Sequence, residues 1–201
     1  MRRLPATRSP AGGRFLLGLL AGSLLALALP ASAAERTVTL DPEKTKISFS
    51  LGAVMHTVHG TLKLESGEVR FDPETGAASG RIVVDAKSAN TGNESRDRDM
   101  HAKVLESERF PQFVLEVARV EGRLDPGGTS KLTLKGKLAI HGSTHEVAWP
   151  AEVTVEGAIV RAKASFKIPY VAWGMKDPSG AVLRVAKEVP VTVEAVGKLS
   201  S

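Results

Sequence analysis

From Thr37 onward the chain alternates apolar and polar residues with a period of two, in run after run. Ile47, Phe49 and Leu51 share one parity, as do Leu62 and Leu64, Val69 and Phe71, and Ile82 and Val84. Phe113, Leu115 and Val117 follow, then Leu132, Leu134, Leu138 and Ile140. Val147, Trp149, Ala151, Val153 and Val155 make the next run, then Val160, Ala162, Ala164, Phe166 and Ile168, and last Val189, Val191, Val193 and Ala195. Successive side chains of a strand point to opposite faces, so this period builds strands with one apolar and one wet face. Such strands belong to antiparallel sheets, because parallel sheets bury both faces. Turn sequences punctuate the runs: Glu65-Ser66-Gly67, Asp72 to Gly76, Asp125 to Gly128, His141-Gly142-Ser143 and Asp177 to Gly180. Several recur about every ten residues, the spacing of a sandwich or barrel. The class is all-β.

Two segments break the alternation. In Asn93 to Glu106, Met100 and Val104 stand at i, i+4, as do His101 and Leu105. Asn93 is a good N-cap, Glu94 suits the first turn, and Pro111 stops continuation. One short helix near residues 93–107 is expected, held by packing Met100, Val104 and Leu105 onto the sheet, because so short a helix is marginal alone. Pro169 to Lys176 is the other exception. Its Tyr170, Trp173 and Met175 suit either a plug at one barrel end or a corner of the core.

The N-terminus reads as an address. Arg2, Arg3, Arg8 and Arg14 precede an apolar run from Phe15 to Leu29, which Pro30 breaks before Ala31-Ser32-Ala33. Charged, apolar and small-residue regions in that order predict a secretory signal peptide over 1–33, with the exported domain, 34–201, starting at Ala34 or Glu35. A membrane anchor fits poorly: the run spans about 22 Å as a helix against a hydrocarbon core of roughly 30 Å. Arg2-Arg3 hints at twin-arginine export, but the following residues favour general secretion. The expected location is periplasmic, with no stable membrane insertion after cleavage.

Removing those arginines leaves 23 bases against 22 acids, so four of the five net positive charges belong to the leader. Nucleic acid is not an expected partner, since phosphate binding needs a retained basic field. The chain has no cysteine, which excludes disulfides, thiolate metal sites, a thiol nucleophile and a lipoprotein anchor.

A barrel of about eight strands is just wide enough to be filled by side chains or to hold one slender ligand. The inward parity includes Ala151, Ala162, Ala164, Ala195 and Gly136, and aromatics are only 4% of the chain. Both features favour a cavity, though composition alone leaves a filled core open. The expected apolar lining is Phe49, Phe71, Val84, Phe113, Leu134, Trp149, Val153 and Phe166. A cavity needs a few convergent polar groups to orient its occupant, and the charged run Ser95 to His101 supplies Arg96, Asp97 and His101. With Tyr170 and Trp173 these are the expected mouth residues. The same charges also suit a solvated helix face.

Catalytic signatures are missing. There is no nucleophile elbow, phosphate loop or dinucleotide fingerprint. His145-Glu146 opens like a zinc-protease motif, but Trp149 holds the second ligand's position. His56 and His59 face opposite ways in a strand. His141 and His145 could meet across a hairpin, but two ligands do not make a zinc site. No metal or cofactor is expected beyond a bound lipid or quinone.

The ordered pieces of the chain resemble the YceI-like family of secreted lipid- and polyisoprenoid-binding proteins over about residues 37–197. They begin with Asp41-Pro42 and Ile47-Ser48-Phe49, then Val58-His59-Gly60-Thr61-Leu62 and Gly67 to Asp72. The most specific is Ser88 to Asn93 followed by Arg96-Asp97, His101 and Phe110-Pro111; Leu132-Thr133-Leu134 and His141 to Thr144 complete the set. Leu62 departs from the family's Phe, and Val104-Leu105 from a more aromatic stretch. The resemblance implies a lipocalin-like antiparallel β-barrel, no catalysis, and a bore that takes a long isoprenoid such as a quinone tail or polyprenyl lipid. The expected function is a periplasmic carrier that sequesters such a chain. The alternative is a non-enzymatic structural or interaction module with a filled barrel, serving a membrane redox partner.

Overall fold

A computed structural model describes residues 35–53, 57–125, 127–180 and 184–200. The expected signal peptide over 1–33 and His56 lie outside them. The described strands are β1 (Arg36–Leu40), β2 (Lys46–Gly52), β3 (Thr57–Phe71), β4 (Ala77–Asn90), β5 (Gln112–Glu121), β6 (Thr129–Ile140), β7 (Ser143–Glu156), β8 (Ile159–Ile168) and β9 (Val189–Ser200). All neighbouring pairs are antiparallel, and the hydrogen-bonded order closes on itself: β2 lies between β3 and β9, and β9 leads through β8, β7, β6, β5 and β4 back to β3. Strand β1 pairs with the same two neighbours, β3 and β9, farther along them. Strands β1 and β2 are therefore two halves of one stave, and the barrel has eight staves.

The break in that stave has a local cause. Pro42 has no N–H to give a ladder, and the turn it enters supplies the missing partners to β9. Asp41 N–H donates to the Val196 carbonyl at 2.7 Å, and the Val196 N–H donates to Thr45 Oγ1 at 3.3 Å. The Asp41 carboxylate accepts from the Glu43 N–H at 3.0 Å and the Lys44 ammonium at 2.8 Å. No buried backbone group of Val196 is left unpaired.

Bulges decide which residues face inward. An irregularity between Leu64 and Ser66 moves the inward parity of β3 from even to odd positions, so Leu64 and then Val69 and Phe71 point to the core. Another, between Val117 and Arg119, brings Val120 into the bore after Leu115 and Val117. Gly136 pairs with Val117 at that bulge, and a Cβ there would collide with the Glu116 carbonyl oxygen. A bulge bends its strand, and glycine lets the backbones meet where this one bends.

The helix differs from expectation in kind. Residues Glu94–Asp99 (α1) are α-helical, with Asn93 extended at φ −132° and its side chain accepting from the Arg96 N–H at 3.0 Å. Met100–Leu105 continue as a π-helical turn, ended by Glu106 in the left-handed region at φ 45°. The widened turn lets His101 reach back to the Ala89 carbonyl of β4 and to Ser107 Oγ, each at 2.9 Å. Met100, Val104 and Leu105 still line the interior. The β6–β7 hairpin turns on His141 and Gly142, at φ 49° and 74°. Two positive φ values mark the turn that matches strand twist.

Candidate functional site

The bore is hollow. Its cavity has a volume of about 1010 Å³, at the upper end of the range for small-molecule sites. An open volume of this size lies where the filled-core alternative places packed side chains. Phe49, Phe71, Val84, Phe113, Leu134, Trp149, Val153 and Phe166 all line it.

Strand register arranges the lining in oblique rows. One row runs Leu134–Trp149 across β6 and β7, continues to Phe166 and Val191 on β8 and β9, and ends at Phe49 and Gly60 on β2 and β3. Trp149 and Phe166 stack with centroids 3.7 Å apart and planes 8° from parallel. Gly60 has no side chain because the Phe49 ring occupies the place its Cβ would take. These three aromatics form a belt. The next row holds Ala151 paired with Ala164, and the one after holds Val153, Ala162 and Ala195. Small side chains on β7, β8 and β9 thus leave room below the belt.

The ends of the cavity differ in chemistry. The helix and the β2–β3, β6–β7 and β8–β9 connections share one end. There Thr91, Asn93, Ser95, Arg96, Asp99 and Lys103 face the cavity from the helical side, and Lys176, Asp177 and Ser179 from the β8–β9 connection. At the far end the lining is Val38, Leu40, Phe71, Leu124, Val160 and Leu199. Among described polar residues only Thr45 lies in between, with its hydroxyl oxygen already bonded to Val196.

The mouth is electrostatically knit. A hydrogen bond from Lys103, at 2.8 Å, holds the Asp99 carboxyl below the usual range, and the charges of Lys103, Arg98 and Lys176 act the same way against a smaller desolvation effect. Arg96 donates through Nε to Thr91 Oγ1 at 2.8 Å and through Nη2 to the Thr91 carbonyl at 3.1 Å. Burial pushes the Tyr170 phenol up to about 12, with the Asp177 carboxylate adding to the effect. Its hydroxyl donates to the Ala186 carbonyl at 2.9 Å, so Tyr170 presents its ring to the cavity and ties the β8–β9 connection with its oxygen.

Three expected mouth residues belong to the elements at this end but do not line the cavity. Asp97 accepts from the Thr91 N–H and hydroxyl, at 3.0 and 2.5 Å, and fixes the strand-to-helix corner. His101 is consumed by Ala89 and Ser107. Trp173 lies flat on His145, centroids 4.1 Å apart. None of the three is among the lining residues. Polar residues on one helix face separate by what the neighbouring corner needs, which a charge run does not reveal. Lys103, Lys176, Asp177 and Ser179 were missed by sequence reasoning, because only the folded connections bring them to one rim.

The described histidines do not gather into a metal-binding group. His141 Nε2 lies 2.7 Å from the Glu106 carboxylate, and His145 Nε2 bonds Ser143 Oγ at 2.8 Å. Among the described residues no group of three or more metal-type side chains gathers, and no helix is long and apolar enough to cross a membrane.

Comparison with known proteins agrees with this architecture. The model of the YceI-like domain matches residues 38–197. A UPF0312 protein of Photorhabdus laumondii is 29% identical over 148 residues, covering 71% of this chain and 73% of its own. Among solved structures, BcnA of Burkholderia cenocepacia superposes with a TM-score of 0.65 at 23% identity, over 78% of this chain and 98% of its own. A polyisoprenoid-binding domain from Saccharophagus degradans gives 0.63 at 17% identity, over 80% and 97%. The family match runs from β1 into β9 and so takes in the whole closed barrel with its hollow bore: this chain belongs to the YceI-like family.

Proposed function

We propose that the protein is a non-enzymatic carrier that sequesters a long apolar chain, of isoprenoid or similar lipid type, inside its barrel. The observation that carries this reading is the polarity of the bore. An apolar tunnel with polar groups gathered at one rim suits an occupant with a long tail and one polar head. Burial of the tail supplies the affinity, at about 0.8 kcal/mol per methylene removed from water. The eight lining residues, with the belt of Phe49, Trp149 and Phe166 at their centre, take the tail. Arg96, Lys103 and Lys176 face the head, and the Tyr170 ring flanks it. The relative from Saccharophagus degradans, described as polyisoprenoid-binding, supports the ligand class. The leader-like sequence of residues 1–33 supports action in the periplasm.

Native mass spectrometry of protein purified from its own periplasm, followed by lipid extraction, tests the proposal. The expected result is a stoichiometric prenyl lipid or quinone. Protein recovered empty, and failing to take up polyprenol when delipidated, would refute it.

A further inference from the structure

Two cations at the polar rim have no counter-ion among the described residues. Arg96 of α1 donates through Nε and Nη2 to the hydroxyl and carbonyl of Thr91. Those acceptors are neutral, so they fix the guanidinium without cancelling its charge, and Nη1 is left over. Lys176, on the β8–β9 connection, forms no ion pair with any described residue. Both residues line the cavity. Lys103 lines it too, but its ammonium lies 2.8 Å from the Asp99 carboxylate.

The acceptors of the rim face local partners. Asp99 holds Lys103, and Asp177 accepts from the Ser179 N–H at 2.9 Å. Asn93 accepts from the Arg96 N–H through Oδ1 at 3.0 Å, which leaves its amide nitrogen as a donor. The charges also form one group. Arg96 and Asp99 are three apart on α1 and so are neighbours on its surface. After Lys103, the charges of Arg98 and Lys176 also hold the Asp99 carboxyl down, which brings the β8–β9 connection to the same group. The cavity lining thus carries three cations against two carboxylates, with the free donors on the cationic side. Apolar walls beneath them concentrate that field, because they have a low dielectric.

We infer that the rim selects an isoprenoid with an anionic head, of phosphate-ester type, over the neutral alcohol or quinone on the same tail, and that Arg96 and Lys176 make the selection. This rests on the carrier reading and adds the charge of the head to it. A phosphate offers acceptor oxygens and negative charge together, and its bonds to cationic donors are roughly twice as strong as neutral ones. A hydroxyl or a quinone carbonyl can accept the same donors but gains nothing from their net charge.

The test titrates purified, delipidated protein with geranylgeranyl monophosphate and with geranylgeraniol. The tails are identical, so the ratio of the two dissociation constants reads the head alone. Each hydrogen bond to a charged group is worth about tenfold in affinity, so wild type should favour the phosphate by about a hundredfold at low salt. Added salt should shrink that preference by screening it. Lys176→Gln, which breaks no ion pair, should lower the ratio about tenfold, and Lys176→Glu should lower it further. Arg96→Gln, with its fold checked by thermal melting, should lower it about as much as Lys176→Gln. Lys137→Gln, exposed on the outer wall of β6, should leave the ratio unchanged. Equal affinity for the two probes in wild type, or tighter binding of the alcohol, overturns the head selection and leaves the carrier reading intact. A phosphate preference that Lys176→Gln does not reduce overturns the assignment to this rim, whatever the Arg96 variant does. Wild-type protein that binds neither probe sinks the carrier reading and the head selection together.

Discussion

Val153→Trp separates a hollow barrel from a packed one by two measurements with opposite outcomes. Val153 faces the bore in register with Ala162, which itself pairs with Ala195. The indole would therefore project over two alanines into a cavity of about 1010 Å³. In a filled core, added bulk of this kind costs roughly 1–3 kcal/mol. A chain of this length loses about 2–4 °C of Tm per kcal/mol, so the penalty would be on the order of 2–12 °C. The hollow bore predicts a lipid-free Tm within about 2 °C of wild type. Binding should suffer instead. Displacing about four methylenes of tail contact, at about 0.8 kcal/mol each, weakens a polyprenol by on the order of a hundredfold. Thermal melts of delipidated protein and a polyprenol titration supply the two numbers. A Tm loss above about 4 °C with unchanged polyprenol affinity would refute the argument.

Three further outcomes are expected. Gly136→Ala places a methyl against the Glu116 carbonyl and should cost about 1–3 kcal/mol, seen as a lowered midpoint in urea; an unchanged midpoint would mean that the β5 bulge yields freely. Tyr170 is the chain's one tyrosine, so ultraviolet titration of tyrosinate reads it alone and should show a transition near 12. Its folded pKa lies above the unfolded value of about 10, so its stability contribution is complete below about pH 10 and is lost as pH rises toward 12. A phenol titrating near 10 in folded protein would contradict the burial described. The exported protein should begin at Ala34 or Glu35, and N-terminal sequencing that found Met1 or Arg2 on the exported form would remove the signal-peptide reading.

The strands were legible because period two is a local property: each apolar residue announces its face through its neighbours two positions away. That suffices for the all-β class and, with closure, for a barrel of eight staves. It fails where the count is interrupted. Val120 lines the bore, yet its parity is opposite to that of Leu115 and Val117, because the bulge beside Gly136 inserts a residue whose cause lies on another strand. The division of one stave into β1 and β2 was hidden for a similar reason. It depends on Asp41 and Thr45 meeting Val196, far away in sequence. At the mouth, the run from Ser95 to His101 showed where charge was concentrated but not its assignments. Arg96 reaches the cavity, while Asp97 and His101 are spent on Thr91, Ala89 and Ser107. Lys176 and Asp177 were invisible, since only the long β8–β9 connection carries them to the same rim.

Closing the barrel through a stave shared by β1 and β2 also dictates when the molecule can fold. That stave is sealed by β9, so residues 36–52 wait for residues 189–200 before their second set of backbone hydrogen bonds exists. Synthesis delivers β9 after the other described strands. Until it arrives the sheet is open, with one free edge on β8 and another on the β1–β2 stave, and unpaired edges invite pairing with other chains. Contacts that span nearly the whole chain are also slow to form, since loop closure comes before any gain from pairing. The barrel is thus at its most adhesive just before β9 pairs, and a chaperone that holds it should recognise a nearly closed sheet with that strand missing.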